Sequence, residues 1–506
     1  MTFLLLRARS ITARVTLWAA LVSASHTTDV DDARAQTPAA DEDHLDPLAL
    51  HSAGGWTVED VIRRAQARAP MLRRALASLQ TARAGERQAW LALWPRLELS
   101  ARYTRLSDID PPSLIDPVDP SLLEAARGLL PGVDDPEARL LLGGLLDASG
   151  SLSGLTFPVI LDQFSLRAQL VVPATAVLLR VLPSLEAAGQ MRRAAQLRVE
   201  AERAAVALRA REAYFEHVRA RGALAVALAT ERALQARRAQ LDAMVEAGLV
   251  PRVESTRLEA QLASTRLDVE RARGAVELTA RALRLLVGDE GRGPIPLGEP
   301  LERLPEPCEL DEERIVRDAL VARPEAQALR ALLEGRAQQR RSTGAARWPE
   351  VVFAAAASLD NPSPRLFPQE RRWTGNWELS AVLSWSPNDA LDAEARLDAD
   401  RASLEESRAD LDALLEAIRL EVHAARSAER SARGSIEVAR AGLAAAEEAL
   451  RVRAERLRAG TETPSDVLQA ETERAAARMA LLDAHVQVQL ARARLLHAVG
   501  GRLACR

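Results

Sequence analysis

The sequence contains no lysine, so all 67 of its basic residues are arginine. That absence excludes a phosphate-loop lysine, a Schiff-base lysine and a serine–lysine dyad. Aromatic residues make up only 3%, too few for one large globular core, which relies on bulky rings. The two cysteines, Cys308 and Cys505, have no near partner. They encode neither a disulfide framework nor a zinc site, and whether they are free or paired stays open. A net charge of −4 over 506 residues does not favour a nucleic-acid partner. The seven histidines include no HExxH and no pair at i,i+4 spacing. No Gly-x-Ser-x-Gly or glycine-rich phosphate loop stands out. No catalytic residue, metal site or cofactor is therefore expected, and the chain does not read as an enzyme.

What is there is Ala, Arg, Leu and Glu, the composition of long helices and coiled coils. At the N-terminus Arg7, Arg9 and Arg14 precede an apolar run from Val15 to Ala24. A basic region followed by a short apolar one is the pattern of a secretory signal. The run is too short to span the ~30 Å of a bilayer core. Residues 1–35 are assigned to the signal, with cleavage after Ala24 or Ala35, and residues 36–55 to a flexible leader. No other stretch approaches ~18 consecutive apolar residues. The exported chain is then either soluble or inserted as β-strands.

The rest is written twice. Arg456 to Ala470 (RLRAGTETPSDVLQA) joins two long helical tracts, with Gly460 as the stop of one. Thr463 and Pro464 read as the cap and first position of the next. Glu246 to Gln261 (EAGLVPRVESTRLEAQ) repeats it: Gly248 falls on Gly460 and Glu254 on Asp466, an offset of 212 residues. Val287-Gly288 and Val499-Gly500 keep that offset. Earlier pairs lie 254 apart: Ala69-Pro70 against Arg323-Pro324, and Trp94-Pro95 against Trp348-Pro349. The difference of 42 residues falls in the first copy, where residues 107–163 form a long Pro-, Gly- and Asp-rich loop. Self-similarity of this length means an internal duplication. The copies are 56–288 and 311–500, joined by a Pro/Gly-rich linker, 289–310, and followed by a tail, 501–506.

After each Trp-Pro the pattern changes from helical to alternating. Strands are predicted near 97–105 and 164–172, and again near 351–359 and 376–385. Each run is about nine residues, the length of a membrane-spanning strand. Most rings outside the signal lie in or beside these runs: Trp90, Trp94, Tyr103, Phe157, Phe164, Trp348, Phe353, Phe367, Trp373, Trp377 and Trp385. Two readings stand, a soluble sheet with one buried face and a membrane sheet with aromatic girdles. The export signal and the ring clustering point to the membrane. Four strands cannot close a barrel, since membrane barrels need about eight, so if these strands lie in a membrane several chains must share one. The tract after each turn has a seam of period 3.5, from Leu258 to Leu286 and from Ala470 to Ala498, breached at Arg474. The arginine-rich run Arg336 to Arg341 reads as a solvated helix face.

A signal, a duplicated helix–strand–strand–helical-hairpin unit and long Ala-rich helices together resemble the TolC-type family of outer-membrane efflux proteins. The resemblance covers Trp56 to Gly500. Its most specific match is Gly460-Thr461-Glu462-Thr463-Pro464-Ser465-Asp466-Val467-Leu468-Gln469-Ala470, similar to the family's glycine followed by Asp-Val-Leu and Ala at the periplasmic tip. Gly248-Leu249-Val250 and Glu254 look like the counterpart in the first copy.

The resemblance implies a mainly α fold with a small β part. Three chains form one 12-stranded outer-membrane barrel continued by a periplasmic helical barrel. The expected function is a passive, gated exit duct of a tripartite efflux or type I secretion system. Its partners are two further copies, a periplasmic adaptor, an inner-membrane pump or ABC exporter, and outer-membrane lipid. The tip turns 248–254 and 460–466 face the adaptor through Gly248, Leu249, Val250, Gly460 and Thr461. Asp466 has two readings, the N3 residue of a capping box with Thr463 and a ring of carboxylates around a three-fold axis. Glu254 carries the same pair, with Pro251 in place of the cap hydroxyl. Gln469 stands where the family often has a second acid, and Glu462 where a basic residue is familiar, so the gate chemistry departs from the family pattern. The alternative is a periplasmic coiled-coil adaptor or scaffold without a pore.

Overall fold

The computed structural model describes residue 48 and residues 50–108, 119–152, 160–307 and 311–501. The signal run, both cleavage positions, Phe157, Cys308, Cys505 and the tail beyond residue 501 lie outside the described residues. The chain divides into two units, Met1–Leu45 and Asp46–Arg506, and all the described residues belong to the second.

Thr57 opens the first helix through a reciprocal box. Its Oγ1 accepts from Asp60 N at 3.2 Å, and Asp60 Oδ2 accepts from Thr57 N at 3.3 Å. Helix α1 (Val58–Arg68) follows, then α2 (Pro70–Leu91). Pro70 breaks the tract but sits at the start of α2, where its missing N–H has no intrahelical partner to lose. Strand β1 (Arg96–Arg105) comes next.

The segment predicted as a loop carries two helices, α3 (Pro120–Leu129) and α4 (Pro136–Leu152). Asp119 caps α3 by accepting from Ser121 N at 3.0 Å, and Leu140–Leu142, Leu145 and Leu146 supply helix formers to α4 on either side of Gly143-Gly144. Proline and aspartate therefore mark helix starts here. Leu140 and Leu141 remain more than 70% exposed.

Strand β2 (Asp162–Pro173) leads through one turn, α5 (Ala174–Ala176), and a π-helical turn, Val177–Val181, into α6 (Leu182–Glu246). Helix α7 (Arg252–Val287) descends from its end. The second copy has α8 (Glu312–Ala322), α9 (Pro324–Gly344), β3 (Glu350–Asn361), β4 (Thr374–Ser384), α10 (Pro387–Arg458) and α11 (Pro464–Ala498). With 65 and 72 residues, α6 and α10 extend roughly 100 Å and 110 Å at ~1.5 Å per residue.

The four strands form one antiparallel sheet in the order β1-β2-β3-β4. Successive side chains alternate between faces, and the register makes each face uniform across the sheet. Leu99, Ala168, Ala357 and Trp377 share one face, as do Leu97, Leu170, Ala355 and Leu379. This apolar face is open: Leu99, Trp377 and Leu379 are each 73–74% exposed. The opposite face carries Ser100, Arg102, Ser165, Arg167, Ser358, Asp360, Asn376 and Glu378, with Val171, Val352 and Val382 toward the helix end. There Arg167 pairs with Glu378 at 2.6 Å and Ser165 Oγ donates to Asp360 at 2.6 Å. Rings flank the apolar face at both ends. Trp94, Trp348 and Trp385 stand at the helix end; Tyr103 and Phe164 stack at 5.0 Å at the other, with Trp373 beyond.

Three sequence features change meaning on folding. The linker is not loose where described. Trp56 N donates to Pro296 O and Gly298 N to Trp56 O, and Ile295, Leu297 and Leu301 are buried. Gly55 is required at this crossing, because a Cβ there would sit 2.3 Å from Leu297 O. Second, the repeated motifs touch each other. Gly288, at the end of α7, lies against the Arg68 side chain, and Gly500, at the end of α11, against the Ala322–Arg323 peptide. Third, Arg336 is not a solvated position. It reaches across to α10 and donates to Ser403 O at 2.6 Å and Ser403 Oγ at 2.8 Å. Its long stem crosses the α9–α10 contact while its head finds polar partners.

Candidate functional site

The two turns are built alike on their incoming side. At the end of α6, Gly248 N donates to Val245 O at 3.0 Å and Leu249 N to Met244 O at 2.9 Å. At the end of α10, Gly460 N donates to Leu457 O at 3.1 Å and Thr461 N to Arg456 O at 2.9 Å. Both are Schellman caps, which need a left-handed residue; φ is 72° at Gly248 and 75° at Gly460. A Cβ on either glycine would meet open space, so backbone conformation alone calls for glycine.

The outgoing sides differ. At α11, Asp466 Oδ2 accepts from Thr463 N at 3.1 Å and from Thr463 Oγ1 at 2.5 Å, and Asp466 N donates to Thr463 Oγ1 at 3.3 Å. These bonds to Thr463 hold the Asp466 carboxyl below its ordinary value of 3.8, helped by the Arg453 charge. At α7, Pro251 offers no side-chain cap. Glu254 is instead buried and takes a bond from Arg257 at 2.8 Å. The Asp466 carboxyl is thus accessible and that of Glu254 covered.

The other predicted positions fall around these turns. Leu249 is 72% exposed at the apex, while Val250 packs on Leu234, Leu241, Leu258 and Leu262. Thr461 Oγ1 donates to Arg456 O at 3.2 Å, and Glu462 lies 3.8 Å from Arg456. Gln469 donates to Glu473 at 2.9 Å. Arg453 reaches over the start of α11, donating to Asp466 O at 3.1 Å and lying 3.6 Å from Glu473.

Sequence reasoning missed the connection between the hairpins. Arg237 on α6 lies 3.5 Å from Glu471 on α11, and Glu471 also meets Arg474 at 2.6 Å. Glu471 is 3% exposed. Arg474, a breach in the apolar seam, is therefore the near partner of a buried carboxylate. The only sequence signal is that two charged residues three apart interrupt one helix face, and nothing in it points to Arg237. Apolar contact reinforces the link, since Leu468 packs into the Leu241–Leu258 cluster of the other hairpin. Among the described residues, no cluster of side chains is suited to a metal ion, and no helix is long and apolar enough to cross a membrane.

The family model described as outer membrane efflux protein matches residues 315–501. No curated protein sequence matches the chain. Among solved structures, the chain is similar to CusC, in a study of folding and transmembrane channel formation, with a TM-score of 0.69 and 19% identity over 91% of this chain and 95% of that one. It is similar to the outer membrane protein VceC of Vibrio cholerae, with a TM-score of 0.68 and 19% identity over 88% of this chain and 96% of that one. It is also similar to the open state of the MtrE outer membrane channel of Neisseria gonorrhoeae, with a TM-score of 0.67 and 20% identity over 88% of this chain and 89% of that one. The fold, mainly helical with a small antiparallel sheet, is the one these three solved structures share.

Proposed function

We propose, for a chain with an outer membrane efflux protein match and a channel fold, that three copies form a passive exit duct through the outer membrane. The observation that carries this reading is the sheet. One face is apolar and exposed between its rings, the other carries the Arg167–Glu378 ion pair and most of the polar side chains, with Val171, Val352 and Val382 only toward the helix end, and both edge strands lack an outer partner among the described residues. A water-facing sheet would not leave such a face open. Lipid outside and water inside accounts for both faces at once. Strands of 10 to 12 residues, tilted, suit an apolar band ~25 Å tall. Four strands do not close, whereas three chains supply twelve.

The helical hairpins then continue the duct on the periplasmic side, and the two turns form its far end. There the duct meets a periplasmic adaptor and an inner-membrane pump or exporter, as in tripartite efflux or type I secretion. The duct does no chemistry; its partners supply the energy. Three Asp466 carboxylates around the axis favour cations at the aperture, while each also caps its helix. Glu254, Glu462 and Gln469 line the same end in supporting roles. The pore-free scaffold reading leaves the apolar face without a solvent. Fractionation of cells expressing the full chain tests the duct: a detergent-stable trimer in the outer membrane is expected, and a soluble periplasmic monomer overturns it.

A further inference from the structure

The duplication specifies how one copy meets the next. Strand β1 maps on β3 at an offset of 254, set by Trp94-Pro95 and Trp348-Pro349. Leu99 faces Ala168, and its counterpart Phe353 faces Ala381. Strand β2 therefore maps on β4 at an offset of 213. The turns differ by 212, so the first copy holds one more residue between its strand and its turn. The π-helical turn Val177–Val181, at the head of α6, accounts for it, since such a turn is a one-residue insertion in a helix.

Within the chain the copies join where β2 pairs with β3 and α6 packs on α9. At this seam Val171 stands opposite Ala354, and Val351 N donates to Thr175 Oγ1 at 2.8 Å. Lower down, Gly335 of α9 lies close to Ala187 of α6. Carrying each partner to its counterpart describes a second seam, one that finds no partner among the described residues. Val171 maps to Ser384 and Ala354 to Ser100. Thr175 maps to Asn388, Val351 to Leu97, Ala187 to Ala399 and Gly335 to Thr81. All lie on the two free edges, β4–α10 on one side and α2–β1 on the other.

Resting on the trimeric-duct reading, we infer that β4 of one copy pairs with β1 of the next in the register that sets Ser384 opposite Ser100, with α2 of that next copy lying along the upper part of α10. Charge supports the helix contact independently. Helix α2 carries Arg73, Arg74, Arg83 and Arg87 against the single acid Glu86. Residues 387–412 of α10 carry nine acids, Asp389 to Asp412, against three arginines. A basic edge thus meets an acidic one at every interface of a closed ring, whereas two α2 edges or two α10 edges repel. Parity supports the register. Ser384 and Ser100 both lie on the polar face, and a shift by one residue would put leucines into the lumen.

The test is cross-linking in native outer membranes. The full chain carries Cys308→Ser, Cys505→Ser and Ser384→Cys, combined in turn with Glu98→Cys, Ser100→Cys or Arg102→Cys. Opposed residues have Cα atoms ~4.5–5.5 Å apart and diagonal ones have side chains ~7–8 Å apart, so only the opposed pair fits a disulfide. Mild oxidation is expected to give covalent trimers at least about tenfold more efficiently with Ser100→Cys than with its neighbours. A maximum at Glu98→Cys or Arg102→Cys, or a stable trimer with no cross-link at any of the three, overturns the register and leaves the duct standing. A monomer with no cross-link overturns both.

Discussion

Thr463 and Asp466 hold each other: each side chain takes a bond from the other's backbone N–H, and the hydroxyl donates to the carboxylate. The carboxylate is thereby fixed at the head of α11 and stays ionised well below neutral pH. Its stabilising effect is complete above the ordinary carboxylate range and disappears as pH falls through its lowered value. Structure and charge at the tip thus reside in one residue, and two substitutions separate them.

Asp466→Ala removes both the charge and half of the cap. In planar bilayers it should reduce cation preference. Thr463→Ala removes the cap but keeps the charge, at a cost of about 1 kcal/mol to the helix start. It should leave selectivity close to the parent's. Equal selectivity in Asp466→Ala and the parent reduces Asp466 to a helix cap.

Arg237 and Glu471 tie α6 to α11 with Glu471 almost fully buried. Removing one member of a buried pair typically costs about 3–5 kcal/mol, although Arg474 remains to partner Glu471. Arg237→Ala should therefore loosen the two hairpins and raise basal conductance several-fold without changing trimer yield. An unchanged conductance means that the apolar contact around Leu468 holds the hairpins alone.

The two sheet faces should respond oppositely to charge. Leu379→Arg places a guanidinium on the apolar face near mid-strand, which in a bilayer costs about 2–4 kcal/mol. Assembly into the outer membrane should fall sharply. Ser380→Arg, one residue on, faces the polar side and should assemble normally. Equal assembly of the two variants, measured by trimer yield, argues against a lipid-facing side.

His217 is buried between α6 and α7, with Nδ1 3.0 Å from Thr279 Oγ1. Burial, then the Arg221 and Arg284 charges, push its pKa from 6.5 to about 4. The unfolded chain takes up this proton near 6.5 and the folded chain only near 4. Stability should fall as pH drops through that window, by on the order of 3 kcal/mol. Denaturant melts of the parent and His217→Gln at several pH values isolate the contribution. The variant should lose less stability between pH 6.5 and 4, and parallel losses contradict the assignment.

Much of this fold is legible in the sequence because the environment imposes simple periods. A sheet with apolar and polar faces writes alternation into Leu97–Tyr103 and Trp377–Leu383. A turn between long helices writes a glycine at Gly248 and Gly460. The Thr463–Asp466 box is legible because it is local. What is illegible is set between distant elements. Arg237 and Glu471 are joined only by the packing of α6 on α11, and Arg336 finds Ser403 only through α9 on α10. Residues 289–307 read as linker from their prolines and glycines, yet they bury Ile295 and Leu297 because a crossing with Trp56 needs small residues. In the insert, aspartate and proline read as loop, although at Asp119-Pro120 they start a helix. Arg68–Gly288 and Ala322–Gly500 show why spaced motifs recur: each pair is one contact, so both members keep the same places in both copies.

The duct stands or falls with β4 having lipid on one side and water on the other. Single cysteines placed at each position from 374 to 384, with Cys308 and Cys505 replaced by serine, can be probed in intact outer membranes with a small water-soluble maleimide. Alternation is expected: rapid labelling at 376, 378, 380 and 382, and little at 377, 379, 381 and 383. Uniform labelling along the strand, or the opposite alternation, contradicts the duct.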